Sequence, residues 1–435
     1  MAESINTNTS SEVPDTQRLS DVALAQIETK NKKEQRSKLA HFLRGALGVL
    51  GAIIAVYFTV LAVLFTMGWE AAPSPLAAEV AVVEEAIEEP VEVVDTKGDK
   101  IDLSTWSNEE LAAQMCMVMV DSGASGELRA WTERGAGAIL LIGNNPKQTL
   151  KADIEAAQAK AANSVRAFIA TDDEGGQKKP LDSLAGSLPS ATEMGTWDKG
   201  AIEKATEQHG RRLSELGVNM VLGPVVDIAY TGAALTDTGR VFSADCDVVA
   251  ESARAWAAGM SKAGVGTTLK HWPGLGGYAV PGGVVTAYKP WTTYEKDDAC
   301  AFKKSYSANT TMVMVSHVIV PDFTETGTPT SLSKNAYGYL RKDVGGDTII
   351  LTDSVDLLVH PGVATSAEQA AVEAIRAGAD MVLCRPGASN DMKVAKALAE
   401  AISSGTISRR DAEAKVARIV QAKVDRELSP QLISK

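Results

Sequence analysis

From residue 101 onward the chain repeats one pattern: a short apolar run rich in β-branched residues, a polar turn, then a longer Ala-rich stretch with helical spacing. The runs are GAGAILLIG, VRAFIATDD, LGVNMVLGPVVDI, GVGTTLKHW, TTMVMVSHVIV, DTIILTDS and ADMVLCRPG; AEQAAVEAIRAGA and AKALAEAISSG are two of the helices between them. Runs that are apolar at successive positions predict strands buried on both faces, as in parallel sheets covered by helices. A closed barrel and a doubly wound open sheet both satisfy that alternation. About seven such strands exceed what most open sheets need and approach a TIM-like (β/α)8 barrel with insertions.

The pattern upstream is different. Residues 1–41 are polar and charged, and GALGVLGAIIAVYFTVLAVLFTMGW, between Arg44 and Glu70, carries no charge. A helix of that length exceeds the ~30 Å hydrocarbon core of a bilayer, so residues 42–69 are predicted to be one transmembrane helix preceding the barrel. The flank KNKKEQRSKLAHFLR is basic and EVAVVEEAIEEPVEVVD is acidic, which puts the N-terminus in the cytoplasm and the rest of the chain outside a cell membrane. Without a clear small-residue cleavage site, an uncleaved anchor is favoured over a signal peptide. Residues 70–100 read as an acidic extracellular stalk and 101–435 as the folded domain.

Composition narrows the partners. The chain has 435 residues, 45% of them apolar, a net charge of −12 and a pI near 5.1. That balance argues against nucleic acid and favours small neutral or polar ligands. No G-x-G-x-x-G follows the first strand and no phosphate-binding G-x-x-x-x-G-K-[ST] is present, so no nucleotide cofactor is expected. Cys116, Cys246, Cys300 and Cys384 form no C-x-x-C pair or Cys/His cluster, so no metal is expected either. On the oxidising side of a membrane they allow one disulfide at most.

The chemistry-bearing residues sit where the strands end. Asp172, Asp173 and Glu174 follow FIAT; Asp227 follows GPVV; Lys270 and His271 end TTLKH; Ser316 and His317 end VMVSH; Asp353 ends IILTD. In a barrel those ends converge on one mouth. Any one of them has a plain alternative as a helix cap, and for Asp227 capping is the better reading. Recurrence of polar groups at the same end of successive strands is more than capping requires. It predicts a cup rich in carboxylates, with Lys and His donors, suited to a hydroxyl-rich neutral ligand such as a sugar.

These blocks resemble family 3 glycoside hydrolases. TDDEGGQ is similar to their [ILV]-D-x-E-G-G-R, LGVNMVLGPVVDI to G-[IV]-N-x-x-x-A-P-V-x-D-[IV], GRVFSADCDVV to G-R-x-F-[GS]-x-D-P-x-x-V and KHWPG to K-H-F-P-G. MVMVSHVIVPDF, PTSLSKNAYGYLRKDVGGDTIILTDSVDL and AIRAGADMVLCRP continue in register, so the resemblance covers essentially 101–435. The subgroup it resembles most is the single-domain β-N-acetylhexosaminidases. That resemblance implies exo-hydrolysis, with retention, of a terminal β-linked N-acetylglucosamine, often on cell-wall fragments such as those of peptidoglycan. It implies Asp353 as the nucleophile and Asp172, Arg240, Lys270 and His271 as holders of the sugar hydroxyls, with His317 near the same subsite.

A retaining glycosidase needs a carboxylate to trap the anomeric carbon and an acid for the leaving oxygen. Asp353 supplies the first if Lys and Arg neighbours keep it ionised. The second departs from the subgroup, whose loop after K-H-F-P-G carries an Asp-Ser-His unit in which His is the acid/base. Counted from Lys270, this chain has Pro281, Gly282 and Gly283 there. Asp173, Glu174 and Tyr278 are the candidates for a substitute acid. The alternative is a membrane-anchored glycan-binding descendant impaired in catalysis, but such a protein has no need of Asp353.

Overall fold

The computed structural model describes residues 93–94, 100–275, 277, 283–385 and 388–428. The expected span 42–69 lies outside them. Among the described residues no helix is long and apolar enough to cross a membrane.

Eight parallel strands close into a barrel: β1 Cys116–Asp121, β2 Ala138–Ile142, β3 Phe168–Thr171, β4 Met220–Val221, β5 Gly266–Trp272, β6 Thr310–Val315, β7 Ile349–Ser354 and β8 Met381–Cys384. Each strand pairs with the next, and β8 closes on β1 through Val382 opposite Cys116. The expected seven runs are β2 to β8. The eighth, CMVMVD, was hidden because it follows the helix Asn108–Gln114 across a single residue, Met115, with no Gly or Pro to mark the change of period. Burial follows the prediction: every residue of β5 and β6 is buried.

Helices return the chain from each strand end to the next strand start, and side-chain caps mark where several begin. Ser107 forms a reciprocal capping box with Glu110, while Asp198, Asp245, Ser333, Ser366 and Ser408 each accept backbone N–H groups of the helix that follows. Cys246, at the start of the helix Cys246–Lys262, forms a disulfide with Cys300 of the helix Cys300–Ser305. Cys116 and Cys384 are buried on β1 and β8. Within the expected stalk, Val93–Val94 pairs antiparallel with Lys100–Ile101.

One addition shapes the mouth. Val285–Thr286, on the chain returning from β5, pairs with Val318–Ile319 just beyond β6. The Val285 N–H donates to the His317 carbonyl at 3.4 Å and the Ala287 N–H to that of Ile319 at 2.8 Å.

Candidate active site

Five successive strands bring the predicted polar residues to the C-terminal end of the barrel. After β3, Asp172 accepts from Lys270 Nζ at 2.8 Å through Oδ1 and faces Lys178 Nζ at 3.3 Å through Oδ2. Lys270, near the end of β5, also meets Glu174 Oε1 at 2.6 Å. Arg240 closes the network with two parallel bonds to Glu174, Nε to Oε2 at 2.7 Å and a terminal nitrogen to Oε1 at 2.8 Å, the fork-to-fork geometry that Arg alone provides.

Burial by itself would raise the Asp172 and Glu174 carboxyls, but Lys270 and Arg240, joined at Asp172 by Lys178, override it and hold both below the ordinary carboxylate range. Burial likewise disfavours the Lys270 ammonium, and the two carboxylates more than restore it. The group is therefore a fixed ionic lattice. Asp172 is the member with room to spare, its side chain 20% exposed against 4% for Glu174.

His271 turns the other way around the rim. Its ring Nδ1 lies 2.8 Å from Asp227 Oδ2, which also accepts the His271 main-chain N–H at 3.1 Å, while Asp227 Oδ1 accepts from the Leu275 N–H at 2.8 Å. The capping role expected of Asp227 is thus corrected: the next helix, Ala234–Asp237, begins at Ala233 without a side-chain cap. Because Asp227 and His271 lie 44 residues apart, no local signal reveals the pairing.

His317 is buried, its Nε2 2.9 Å from the Ser354 carbonyl and its Nδ1 2.7 Å from Ser331 Oγ. Since a carbonyl only accepts, Nε2 carries the hydrogen and Ser331 donates to Nδ1. Burial pushes the imidazole below its ordinary value, against the opposing pull of Asp353. With both nitrogens engaged inside the protein, His317 braces the end of β7 and has none left over for a sugar hydroxyl.

Asp353 is partly exposed near the end of β7, and its Oδ1 accepts from the Ser354 N–H at 2.7 Å. The cations expected beside it are corrected as well. Lys270 and Arg240 are spent on Asp172 and Glu174, and among the described residues no ion pair reaches Asp353.

The candidate substitute acids separate clearly. Asp173 is 0% exposed, accepts from the Leu181 N–H at 3.1 Å and faces the equally buried His209 at 3.4 Å. Glu174 is held ionised and has no proton to give. Tyr278, Pro281 and Gly282 lie outside the described residues. Near the stem of that loop, Tyr230 donates to Asp298 at 2.7 Å, and Lys289 meets the same carboxylate at 2.5 Å. Burial pushes the Tyr230 hydroxyl up to about 12, so it serves as an anchor and holds its proton too tightly to be a ready acid.

The Glycosyl hydrolase family 3 N terminal domain matches residues 108–422. The chain belongs to glycoside hydrolase family 3. This family 3 glycoside hydrolase is 29% identical over 287 residues to Beta-hexosaminidase LpqI of Mycobacterium tuberculosis, covering 64% of this chain and 73% of that protein. It is 30% identical over 270 residues to a Beta-hexosaminidase of Xylella fastidiosa, covering 59% and 78%. The crystal structure of a family 3 glycosyl hydrolase from Mycobacterium smegmatis aligns with a TM-score of 0.65 at 27% identity, over 74% of this chain and 98% of that one.

Proposed function

We propose that this family 3 enzyme removes terminal β-linked N-acetylglucosamine from glycans with retention, using Asp353 as nucleophile and with an atypical or missing acid/base. The observation that carries the reading is the partly exposed Asp353 near the end of β7, on the same rim as the Asp172–Lys270–Glu174–Arg240 lattice. Asp172 and His271 accept and donate to sugar hydroxyls, and the lattice holds Asp172 in place. An Asp353 oxygen attacks the anomeric carbon, the bond to the aglycone oxygen breaks, and that oxygen leaves with a proton or as a stabilised anion. Water then opens the glycosyl ester and returns the Asp353 carboxylate.

General acid catalysis supplies about 10²–10⁴-fold. An aryl β-N-acetylglucosaminide, whose phenolate needs no proton, is therefore expected to react faster than a natural disaccharide by a factor of that order. Equal rates would mean that another acid is in place, and replacement of Tyr278 and of His360, which is exposed on the loop leaving β7, would locate it. A 2-fluoro sugar should label the peptide containing Asp353; a label on a different carboxylate would remove Asp353 from the role.

The run Pro281-Gly282-Gly283, which has no side chain able to pass a proton, favours a second reading: a glycan-binding protein that has lost turnover. That reading predicts measurable sugar affinity with neither substrate cleaved.

We further propose that residues 42–69 anchor the enzyme in the cell membrane with the barrel outside, where cell-wall fragments such as those of peptidoglycan are the substrates. Protease added to intact, wall-stripped cells should release the barrel by cutting within 70–100. Protection until lysis would overturn the topology.

A further inference from the structure

We propose that Asp227 is a positioning residue for sugar binding: it sets the tautomer of His271 so that Nε2 is the ring nitrogen offered to a ligand, and it ties down the turn that follows. The inference rests on the reading of the mouth as a sugar site.

All three hydrogen bonds given to Asp227 come from one five-residue stretch. Oδ2 receives the main-chain N–H of His271 and faces the ring Nδ1, and Oδ1 receives the N–H of Leu275. Asp227 is 2% exposed and His271 7%, so water does not compete strongly for these bonds. A carboxylate has no hydrogen to give, so the 2.8 Å contact requires the hydrogen on Nδ1. Nε2 then accepts a sugar hydroxyl hydrogen when the ring is neutral, and donates when the ring is charged.

The neighbouring His317 shows the opposite arrangement. Its Nε2–H is bound to the Ser354 carbonyl and its Nδ1 to Ser331, which leaves that ring nothing to offer. The side chains facing His271 and its carboxylate are Arg240, which interacts with Asp227, and His317, which interacts with both His271 and Asp353. Neither is placed as a partner for His271 Nδ1. An amide in place of the Asp227 carboxylate would turn an NH₂ toward at least one of the three donors. Either the Leu275 N–H would lose its acceptor, or the His271 ring would have to move its hydrogen to Nε2.

The test uses the full-length protein in detergent, labelled with ¹⁵N-histidine, together with the kinetics of an aryl β-N-acetylglucosaminide. In the wild type the His271 resonances should show hydrogen on Nδ1 and a bare Nε2. Hydrogen on Nε2 instead would overturn the proposal, and this reading needs neither turnover nor a variant that folds.

In Asp227→Asn the tautomer should reverse or become mixed. KM should rise by on the order of 10- to 100-fold, the effect of losing a hydrogen bond to a charged group. In a His271→Ala background the same substitution should raise KM markedly less, because the part of its effect carried by the ring is already lost and only the two main-chain bonds remain. Full, multiplicative losses in both backgrounds would show that Asp227 acts on the fold alone. If the wild type turns over no aryl glycoside, the proposed function fails by that measurement, and the wild-type tautomer still decides the role of Asp227.

Discussion

At the base of the barrel, Asp380 is buried and fully committed. It takes Arg418 at 2.8 Å, Arg341 at 2.5 Å and the Ile350 N–H at 2.8 Å. Burial by itself would raise its carboxyl, but the two guanidiniums hold it below the ordinary range. At the mouth, Asp172 also lies between two cations, yet keeps a fifth of its side chain exposed. Both ends contain paired charge, and the difference lies in spare hydrogen-bonding capacity. At the base both Asp380 oxygens are used to join a strand start to two helices, whereas at the mouth the lattice fixes a carboxylate that stays partly exposed. Ion pairing therefore does not distinguish a functional end from a structural one, but exposure of an already fixed carboxylate does.

The largest effect expected at the mouth is from Asp353→Asn. Loss of an attacking group costs on the order of 10⁴ or more in kcat, while the melting temperature should stay near that of the wild type because Asp353 is partly exposed. Steady-state rates beside a melting curve would check both halves, and a large loss of stability would blur the contrast between the ends.

Asp380→Asn should do the reverse. Uncoupling a buried carboxylate from two arginines is expected to cost about 3–5 kcal/mol of stability, read from denaturant unfolding, with kcat per folded molecule unchanged. A fall in kcat of the folded fraction would show that base and mouth are coupled.

The disulfide sits between helices outside the barrel, and its two cysteines are 54 residues apart. Its removal by Cys246→Ser with Cys300→Ser should lower stability by about 2–4 kcal/mol without altering KM.

The smallest and most specific test concerns Lys423, which is 0% exposed at the base. Its Nζ donates to Gln114 Oε1 at 2.7 Å and lies 5.5 Å from the Phe168 ring. Burial pulls this ammonium down to about 7, against an ordinary value of about 10.4. Between those two values the unfolded chain binds more protons than the folded one, so stability contributed at this site rises with pH. The melting-temperature difference between Lys423→Met and wild type should therefore shift in favour of wild type as pH increases from about 7 to about 10. A difference that is flat with pH would mean that the buried lysine keeps its charge.

Periodicity carried most of the fold and positions along the strands carried most of the site. The predominantly apolar runs are β2 to β8, and the residues predicted to meet after β3, β5, β6 and β7 do lie at one end of the barrel. Such features are legible because burial on both faces and the common direction of parallel strands act on each segment separately. The strand β1 was missed because nothing local separates it from the helix before it.

Pairing across the barrel was not legible. That Lys270 and Arg240 serve Glu174 and Asp172 and leave Asp353 without an ion pair among the described residues, that His317 is saturated by Ser331 and the Ser354 carbonyl, and that Asp227 holds His271 are contacts between different strand ends. The sequence determined which residue types reach the mouth, because strand direction and length follow from local patterning. Only the tertiary structure decided which of them spend their hydrogen bonds on one another and which keep one for a ligand, because that depends on distances of about 3 Å between side chains brought together by closure of the barrel.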